Sequence, residues 1–252
     1  MKILLTNDDG ILAEGLVALH EELKGDFEIS VVAPETEMSA VGHAISLSNP
    51  LRVRRFMRNG NFFGLAVTGT PADCVKIAVH ELLEQKPDII LSGINPGANV
   101  GINILYSGTV SAATEGAFLG IPSIAISLNT KNNPDYGFAA RFSRRVIRFI
   151  QENGLSEGTA LNVNIPAVPE DRITGISIVP QELVRHRDKY DKRNDPRGDV
   201  YYWLASETPV RKSDSYTDLN ALGQNRITIT PISFDLTNPE EMKRLRSLDF
   251  SL

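Results

Sequence analysis

The first 165 residues alternate short apolar runs with stretches in which apolar residues recur every three or four positions. Short apolar runs between turn residues are typical of buried strands, whereas the longer period is typical of amphipathic helices. The runs predict strands at 3–6, 28–32, 88–91, 121–128 and 161–165. The helical stretches are Leu12, Leu16, Leu19 and Leu23; then Val75, Ala78, Val79, Leu82 and Leu83 after a Thr70-Pro71 start; a stretch after Thr109; and Phe138, Phe142, Val146, Phe149 and Ile150.

This alternation predicts an α/β fold in which a mostly parallel sheet carries helices on both faces. The pattern changes near residue 173. Beyond it, β-like segments at 173–179, 200–204 and 227–232 are separated by long polar stretches, and 239–248 predicts a final helix. We therefore expect an α/β core domain at 1–172 and a smaller β-rich C-terminal lobe or extension at 173–252.

The segment 185–197 lies inside that extension and is rich in charge, with Arg187, Asp188 and Lys189 in succession. Charge-rich connections are usually solvated, so we expect a solvated or mobile loop here. The alternative is a clamp on a ligand or on a second subunit.

Charge and cysteine content narrow the class of protein. Lys and Arg number 26 against 31 Asp and Glu, a formal charge of −5 that argues against a duplex nucleic acid as partner. Cys74 is the single cysteine, so an intrachain disulfide framework is excluded. The apolar run after Lys2 is too short for a signal peptide or a membrane span. We expect a cytoplasmic protein without a membrane partner.

Candidate chemistry begins with the quartet Asn7-Asp8-Asp9-Gly10, directly after the first predicted strand. Ligands of open α/β sheets bind just beyond the carboxyl ends of the strands. Two adjacent carboxylates at such a position suit a hard divalent cation such as Mg²⁺ or Mn²⁺.

Two later stretches follow the same logic. The segment 92–101 follows a predicted strand and offers Asn95 and Asn99 among glycines that let a backbone approach a ligand closely. Ser107, Gly108 and Thr109 precede a predicted helix, whose N-terminus can bind an anion such as phosphate. The alternative for Ser107 or Thr109 is simply to cap that helix. The 92–101 segment lacks the spacing of a P-loop or of a dinucleotide fingerprint.

A fourth stretch, 37–46, follows the second predicted strand and contains Ser39 and His43. No nucleophile-elbow pattern surrounds Ser39, so a role as a metal ligand suits it better than a role as a nucleophile. His43 is a candidate for proton transfer or metal binding, and a structural role is the open alternative.

Together these stretches resemble one family, the SurE-type 5'/3'-nucleotidases, which are metal-dependent phosphomonoesterases. The resemblance covers almost the whole chain. It is carried by LLTNDDGI at 4–11, Ser39, GTPADCV at 69–75, SGINPGANVG at 92–101, YSGTVSAATEG at 106–116, DPRGDVYYW at 195–203 and ITITP at 227–231. It implies a Rossmann-like core with a β-hairpin and a C-terminal extension that build a homodimer or homotetramer.

The resemblance also implies the roles of individual residues. One divalent cation per subunit, Mg²⁺ or Mn²⁺, would be held by Asp8, Asp9, Ser39 and Asn95. The phosphate site and its catalytic groups would comprise Asp8, Asn7, Asn99, Ser107, Gly108 and Thr109.

The expected reaction is hydrolysis of nucleoside 5'- and 3'-monophosphates, extending to short polyphosphate, by an activated water. One alternative is a phospho-aspartate on Asp8 or Asp9, as in haloacid-dehalogenase-like phosphatases, although those resemble Asp-x-Asp and here the two residues are adjacent. An alternative from another class is a non-catalytic module that senses metal and nucleotide. Turnover separates that module from an enzyme.

Overall fold

The computed structural model describes residues 1–130, 132, 134–184, 186–209 and 216–249. In that part of the chain, eleven strands and six α-helices are found. The strands are β1 Lys2–Thr6, β2 Glu28–Pro34, β3 Val53–Arg58, β4 Asn61–Val67, β5 Ile89–Pro96, β6 Ser123–Asn129, β7 Thr159–Pro166, β8 Gly175–Ile178, β9 His186–Asn194, β10 Val200–Pro209 and β11 Arg226–Ser233. The α-helices are α1 Glu14–Leu23, α2 Pro71–Ile77, α3 Gly108–Phe118, α4 Gly137–Asn153, α5 Asp218–Gly223 and α6 Pro239–Arg246.

Nine strands form one sheet in the order β3-β4-β2-β1-β5-β6-β7-β11-β8, and β9 and β10 form a separate pair. The six consecutive strands β4-β2-β1-β5-β6-β7 of this order run parallel to one another, and β8 runs parallel to β11. The antiparallel pairs are β3 with β4, β11 with β7, and β9 with β10. The predicted α/β fold with a mostly parallel sheet is therefore confirmed.

The sheet is buried on both faces, as its continuous apolar runs predict. Within β1, Ile3 and Leu5 belong to the cluster that packs with α1 and α4, whereas Leu4 belongs to the cluster on the α2 side. Successive side chains of a strand point to opposite faces, so three consecutive apolar residues supply both cores.

The path of the chain changes direction at β1. The strands β2 and β5 flank β1, with Leu4 opposite Ser30 on one side and Ile90 on the other. The chain thus winds outward from β1 in one direction and later in the other. Such a switch point leaves an opening beyond the carboxyl ends of the two central strands, which is where ligands of this fold class bind.

Two strands beyond residue 173, β8 and β11, extend the main sheet through the β11–β7 pairing. Among the described strands beyond residue 173, β9 and β10 are not part of that sheet. The division at 172/173 stays a prediction, while the sheet itself continues across that position.

The prediction of a loop at 185–197 is wrong for most of that segment, which forms a strand. Residue 185 lies outside the described residues, but His186–Asn194 forms β9 and pairs with β10, for example Asp191 with Trp203. The side chains of Arg187 and Lys189 are exposed. Among the residues that the structure describes, the strand β9 packs against no hydrophobic core, so its sequence lacks the alternation of apolar and polar residues by which buried strands are predicted.

The predicted elements also omit the β3–β4 hairpin. Its turn is Asn59-Gly60, with φ angles of 49° and 80°. Two successive positive φ values are typical of the tight hairpin turn that Asn-Gly favours, so the signal is present in the sequence.

Helix bounds differ from the predicted stripes at two places. The first helix begins at Glu14, which leaves Leu12 63% exposed, and Phe149 on α4 is 57% exposed. Three other residues of the predicted stripe, Phe142, Val146 and Ile150, are buried on α4 as expected. The predicted start of α2 is confirmed, since Thr70 and Asp73 form a capping box. No helix among the described residues is long and apolar enough to cross a membrane.

Candidate metal and phosphate site

The Asn7–Gly10 turn leaves β1 at the switch point and is held by its own side chains. The Nδ2 group of Asn7, which is fully buried, donates to the Gly10 carbonyl at 2.9 Å. Gly10 has a φ of +95°, a conformation that other residues adopt only with strain. This turn places Asp8, 5% exposed, and the half-buried Asp9 side by side at the sheet edge.

The carboxylate of Asp8 faces the N-terminus of α3. Thr109 donates its hydroxyl to Asp8 Oδ1 at 2.5 Å. A Cβ on Gly108 would lie 2.6 Å from the Asp8 Cβ and 3.0 Å from its Oδ2, so the close approach of helix and carboxylate requires glycine here. Burial raises the pKa of the Asp8 carboxyl, and the hydrogen bonds from Thr109 oppose that rise.

Asp9 has the electrostatics of a group that lacks a counter-charge. Burial, and then the charges of Asp8 and Glu37, raise the pKa of Asp9 to about 7. Within the described part of the chain, the buried Oδ2 of Asp9 and Oδ1 of Asn7 have no hydrogen-bond partner. Buried oxygens of this kind are normally satisfied by a donor, a water or an ion. Two adjacent carboxylates, one of them with an orphaned buried oxygen, therefore fit a divalent cation.

The raised pKa of Asp9 gives an expected pH dependence. The folded metal-free protein keeps a proton that an unfolded Asp with a pKa of 3.8 would release, so its free energy of unfolding should fall as the pH rises from about 4 to about 7. A cation needs the ionised carboxylate, so its affinity should rise over the upper part of that window. Mn²⁺ titration calorimetry at a series of pH values checks the affinity.

The pH dependence of the unfolding free energy is tested with the variant Asp9→Asn, whose amide side chain does not titrate. Its unfolding free energy without metal should vary less between pH about 4 and about 7, as read from denaturant melts. An unchanged pH profile in this variant would show that another group causes the dependence.

The other two predicted metal ligands reach the same edge on separate segments. Met38 donates its backbone N–H to the Asp8 carbonyl at 2.7 Å, which holds the exposed Ser39 next to the aspartate turn. Asn95 lies on β5, next to β1, and its Nδ2 donates to the Gly97 carbonyl at 2.8 Å. That bond engages the amide nitrogen, so the amide oxygen is the atom of Asn95 that could serve as a cation ligand.

The residues of the predicted phosphate site lie in different surroundings. Ser107 caps α3, because its hydroxyl accepts from the Val110 N–H at 3.1 Å, so the capping alternative holds for its side chain. Thr109 is bonded to Asp8 as described above. Asn99 is buried and donates from Nδ2 to Ser127 at 2.8 Å, below the rim of the sheet. Their contact with phosphate stays a prediction.

His43 is bound by a residue to which the sequence assigns no role. Its Nε2 lies 2.8 Å from the Glu115 carboxylate, which also binds Lys76 Nζ at 2.7 Å. Burial acts to raise the pKa of Glu115, but the bonds from His43 and Lys76 outweigh it and lower that pKa. The group therefore ties the 37–46 segment to α2 and α3, which supports the structural alternative for His43.

A second buried carboxylate anchors the 92–101 segment. Asp218, fully buried at the start of α5, accepts from the Gly101 N–H and the Glu182 N–H, each at 2.8 Å, and from the Leu219 N–H at 2.7 Å. Burial raises the pKa of Asp218 against the effect of these bonds. Neither Glu115 nor Asp218 has a spacing that marks it in the sequence, since its partners are distant along the chain.

The described residues contain no group of three or more His, Cys, Asp or Glu side chains arranged to hold a metal ion. A cation at the aspartate turn would therefore need neutral oxygen ligands besides Asp8 and Asp9. This requirement agrees with a predicted ligand set that draws on Ser39 and Asn95.

Comparison with known proteins gives a consistent picture. The sequence profile described as survival protein SurE matches residues 3–188. The chain is 51% identical over 245 residues to the 5'-nucleotidase SurE of Syntrophobacter fumaroxidans, covering 97% of this chain and 98% of that protein. It is 53% identical over 249 residues to the 5'-nucleotidase SurE of Syntrophus aciditrophicus, covering 98% and 94%.

Among solved structures, the SurE protein from Aquifex aeolicus matches with a TM-score of 0.84 and 38% identity, over 98% of each chain. The fold described above is therefore shared over 98% of this chain. With a family profile over most of its residues and relatives at 51% and 53% identity, this chain belongs to the survival protein SurE family.

Proposed function

We propose that this protein is a divalent-metal-dependent 5'-nucleotidase, which hydrolyses nucleoside 5'-monophosphates to nucleoside and phosphate. The observation that carries the proposal is the Asp8-Asp9 pair at the switch point, with an orphaned buried oxygen on Asp9 and the N-terminus of α3 against Asp8. Relatives that match nearly the full chain carry the name 5'-nucleotidase SurE. We include 3'-monophosphates and short polyphosphate in the proposed substrate range.

In this proposal one Mg²⁺ or Mn²⁺ per subunit is held by Asp8, Asp9, Ser39 and Asn95. The bound cation supplies charge stabilisation for the phosphate and a lowered pKa for water. The carboxylates of Asp8 and Asp9 balance the charge of that cation, so the site as a whole can accept an anionic phosphate.

The residues at the start of α3 act on the phosphate side. Gly108 and Thr109 contribute backbone N–H groups at the positive end of the helix, where a phosphate is favoured, and Ser107 precedes them as the cap, with its own N–H donated to the Ile104 carbonyl. Asn7 and Asn99 complete the proposed phosphate site. Donors fixed in position by the helix need no reorganisation when charge builds up on the phosphate oxygens during reaction.

We favour attack by water over a phospho-aspartate. The Oδ1 oxygen of Asp8 accepts the Thr109 hydroxyl and its carboxylate packs against Gly108, so the group is confined rather than free to swing toward phosphorus. A labelled phospho-aspartate trapped at Asp8 or Asp9 would overturn this part of the proposal.

The first experiment is phosphate release by the purified protein from 5'-AMP and 3'-AMP, with Mn²⁺, with Mg²⁺ and after treatment with EDTA. We expect release that depends on metal and that EDTA abolishes. The same release from short polyphosphate tests the wider substrate range. Binding of 5'-AMP with metal but without phosphate release would instead support the sensing module.

We also propose that the protein is a cytoplasmic homodimer or homotetramer assembled through the C-terminal extension. The β9–β10 hairpin carries exposed large apolar side chains that a monomer would leave in water. They are Tyr190, Val200, Tyr201, Tyr202, Trp203 and Leu204. Light scattering after size-exclusion chromatography distinguishes the monomer from the two assemblies.

A further inference from the structure

Glu37 lies beside the proposed metal site and contacts one of its ligands. The Ser39 hydroxyl donates to Glu37 Oε1 at 2.6 Å. A serine hydroxyl has one proton and two lone pairs, so this bond fixes where the proton points. Because the hydroxyl proton of Ser39 points toward Glu37, both lone pairs of the Ser39 oxygen remain available to another partner.

The position of Glu37 is fixed by the aspartate turn. A Cβ on Gly10 would lie 3.2 Å from the Thr36 carbonyl carbon and 3.4 Å from the Glu37 nitrogen, so the two backbones are in close contact. The charge of Glu37 also contributes to the raised pKa values of Asp8 and Asp9. The charge of Glu37 therefore acts on Asp8 and Asp9, while its hydrogen bond acts on Ser39.

We propose that Glu37 is a positioning residue for the cation, which orients the Ser39 hydroxyl and adds a third negative charge without binding the metal itself. This inference rests on the proposed function, because it takes Ser39, Asp8 and Asp9 as the ligands. Outer carboxylates that accept a hydrogen bond from a ligand fix its orientation and raise its basicity.

The neutral hydroxyl of Ser39 is a weaker cation ligand than the carboxylates of Asp8 and Asp9. A hydrogen bond that orients it and raises its basicity should therefore strengthen its binding to the cation most. Ser39 is exposed, and without Glu37 its hydroxyl could rotate and donate to water instead. Glu37 is also exposed. Its substitution therefore removes a partner of the site without opening a cavity in the core.

The test is the affinity for Mn²⁺, measured by titration calorimetry without substrate, in three variants. Glu37→Ala removes both the acceptor and the charge, and we expect the dissociation constant to rise about 10-fold or more. Glu37→Gln keeps an oxygen that can accept from Ser39 but removes the charge, so its dissociation constant should lie between those of Glu37→Ala and the parent protein.

Glu35→Gln is the matched control. It removes the same charge two residues away, where Glu35 is paired with Arg54 at 2.6 Å and has no bond to Ser39. We expect its Mn²⁺ affinity to stay within about twofold of the parent value, since exposed pairs contribute little.

Two results would overturn the inference. One is a parent-like Mn²⁺ affinity in Glu37→Ala. The other is an equal loss of Mn²⁺ affinity in Glu37→Gln and Glu37→Ala, which would show that the hydrogen bond to Ser39 has no orienting role. These results are distinguishable from a failure of the proposed function, in which the parent protein itself would bind no Mn²⁺ or release no phosphate. Thermal unfolding of each variant confirms that only folded protein is compared.

Discussion

Asp8→Asn is expected to lower metal-dependent phosphate release by about three orders of magnitude, because loss of a charged ligand removes several kcal/mol of transition-state stabilisation. The amide keeps the shape of the side chain and an oxygen that can accept from Thr109. The loss should therefore lie in catalysis and metal affinity rather than in folding. Steady-state kinetics with 5'-AMP and saturating Mn²⁺ measures it.

The stability of Asp8→Asn serves as the internal check. Burial raises the pKa of Asp8, which means that its charge is costly at neutral pH in the metal-free protein. The amide removes that cost, so the metal-free variant should unfold no more easily than the parent. Asp171→Asn, an exposed carboxylate far along the chain, is the control for a change of net charge. Near-normal turnover in Asp8→Asn would refute the metal assignment.

Gly108→Ala is expected to lower kcat/KM by about 100-fold, since displacements of about 1 Å at a reacting centre have effects of this size. The added Cβ would stand 2.6 Å from the Asp8 Cβ and 3.1 Å from the Pro71 Cγ, so either the helix start or the aspartate must move. Both belong to the proposed site. Kinetics with 5'-AMP at several Mn²⁺ concentrations separates a metal effect from a phosphate effect.

Gly25→Ala is the control for that substitution. A Cβ at Gly25 would meet no atom within 4 Å, and no positive φ is involved. We expect parent-like kinetics from this variant. If Gly108→Ala were equally silent, the close contact between α3 and Asp8 would have no part in catalysis.

Local sequence patterns identify most of the fold. The run at 3–5 predicts β1, because three apolar residues between polar neighbours suffice to feed both cores. The capping box at Thr70 and Asp73 predicts the start of α2 from local bonding alone. The hairpin strand β9 could not be predicted in this way, since its stability depends on pairing with β10 and not on a buried face.

The candidate site is predictable to the same extent. The Asp8-Asp9 pair is visible because it directly follows a strand, and strand ends define the sheet edge. The partners that position the site are not visible. Glu37 contacts Ser39 through a side chain of ordinary spacing, and Glu115 lies 72 residues from His43. Such contacts exist only once the elements have packed.

The carboxylate of Asp218 joins parts of the molecule that otherwise belong to different neighbourhoods. It holds the peptide nitrogen of Gly101, at the end of the segment that carries Asn95 and Asn99, and the peptide nitrogen of Glu182, four residues before the hairpin strand β9 begins. A single buried carboxylate thus ties the backbone just before the hairpin to the segment that carries two residues of the proposed site. In the proposed assembly, Asp218 therefore connects the hairpin that would form the interface with the segment that would bind metal and phosphate.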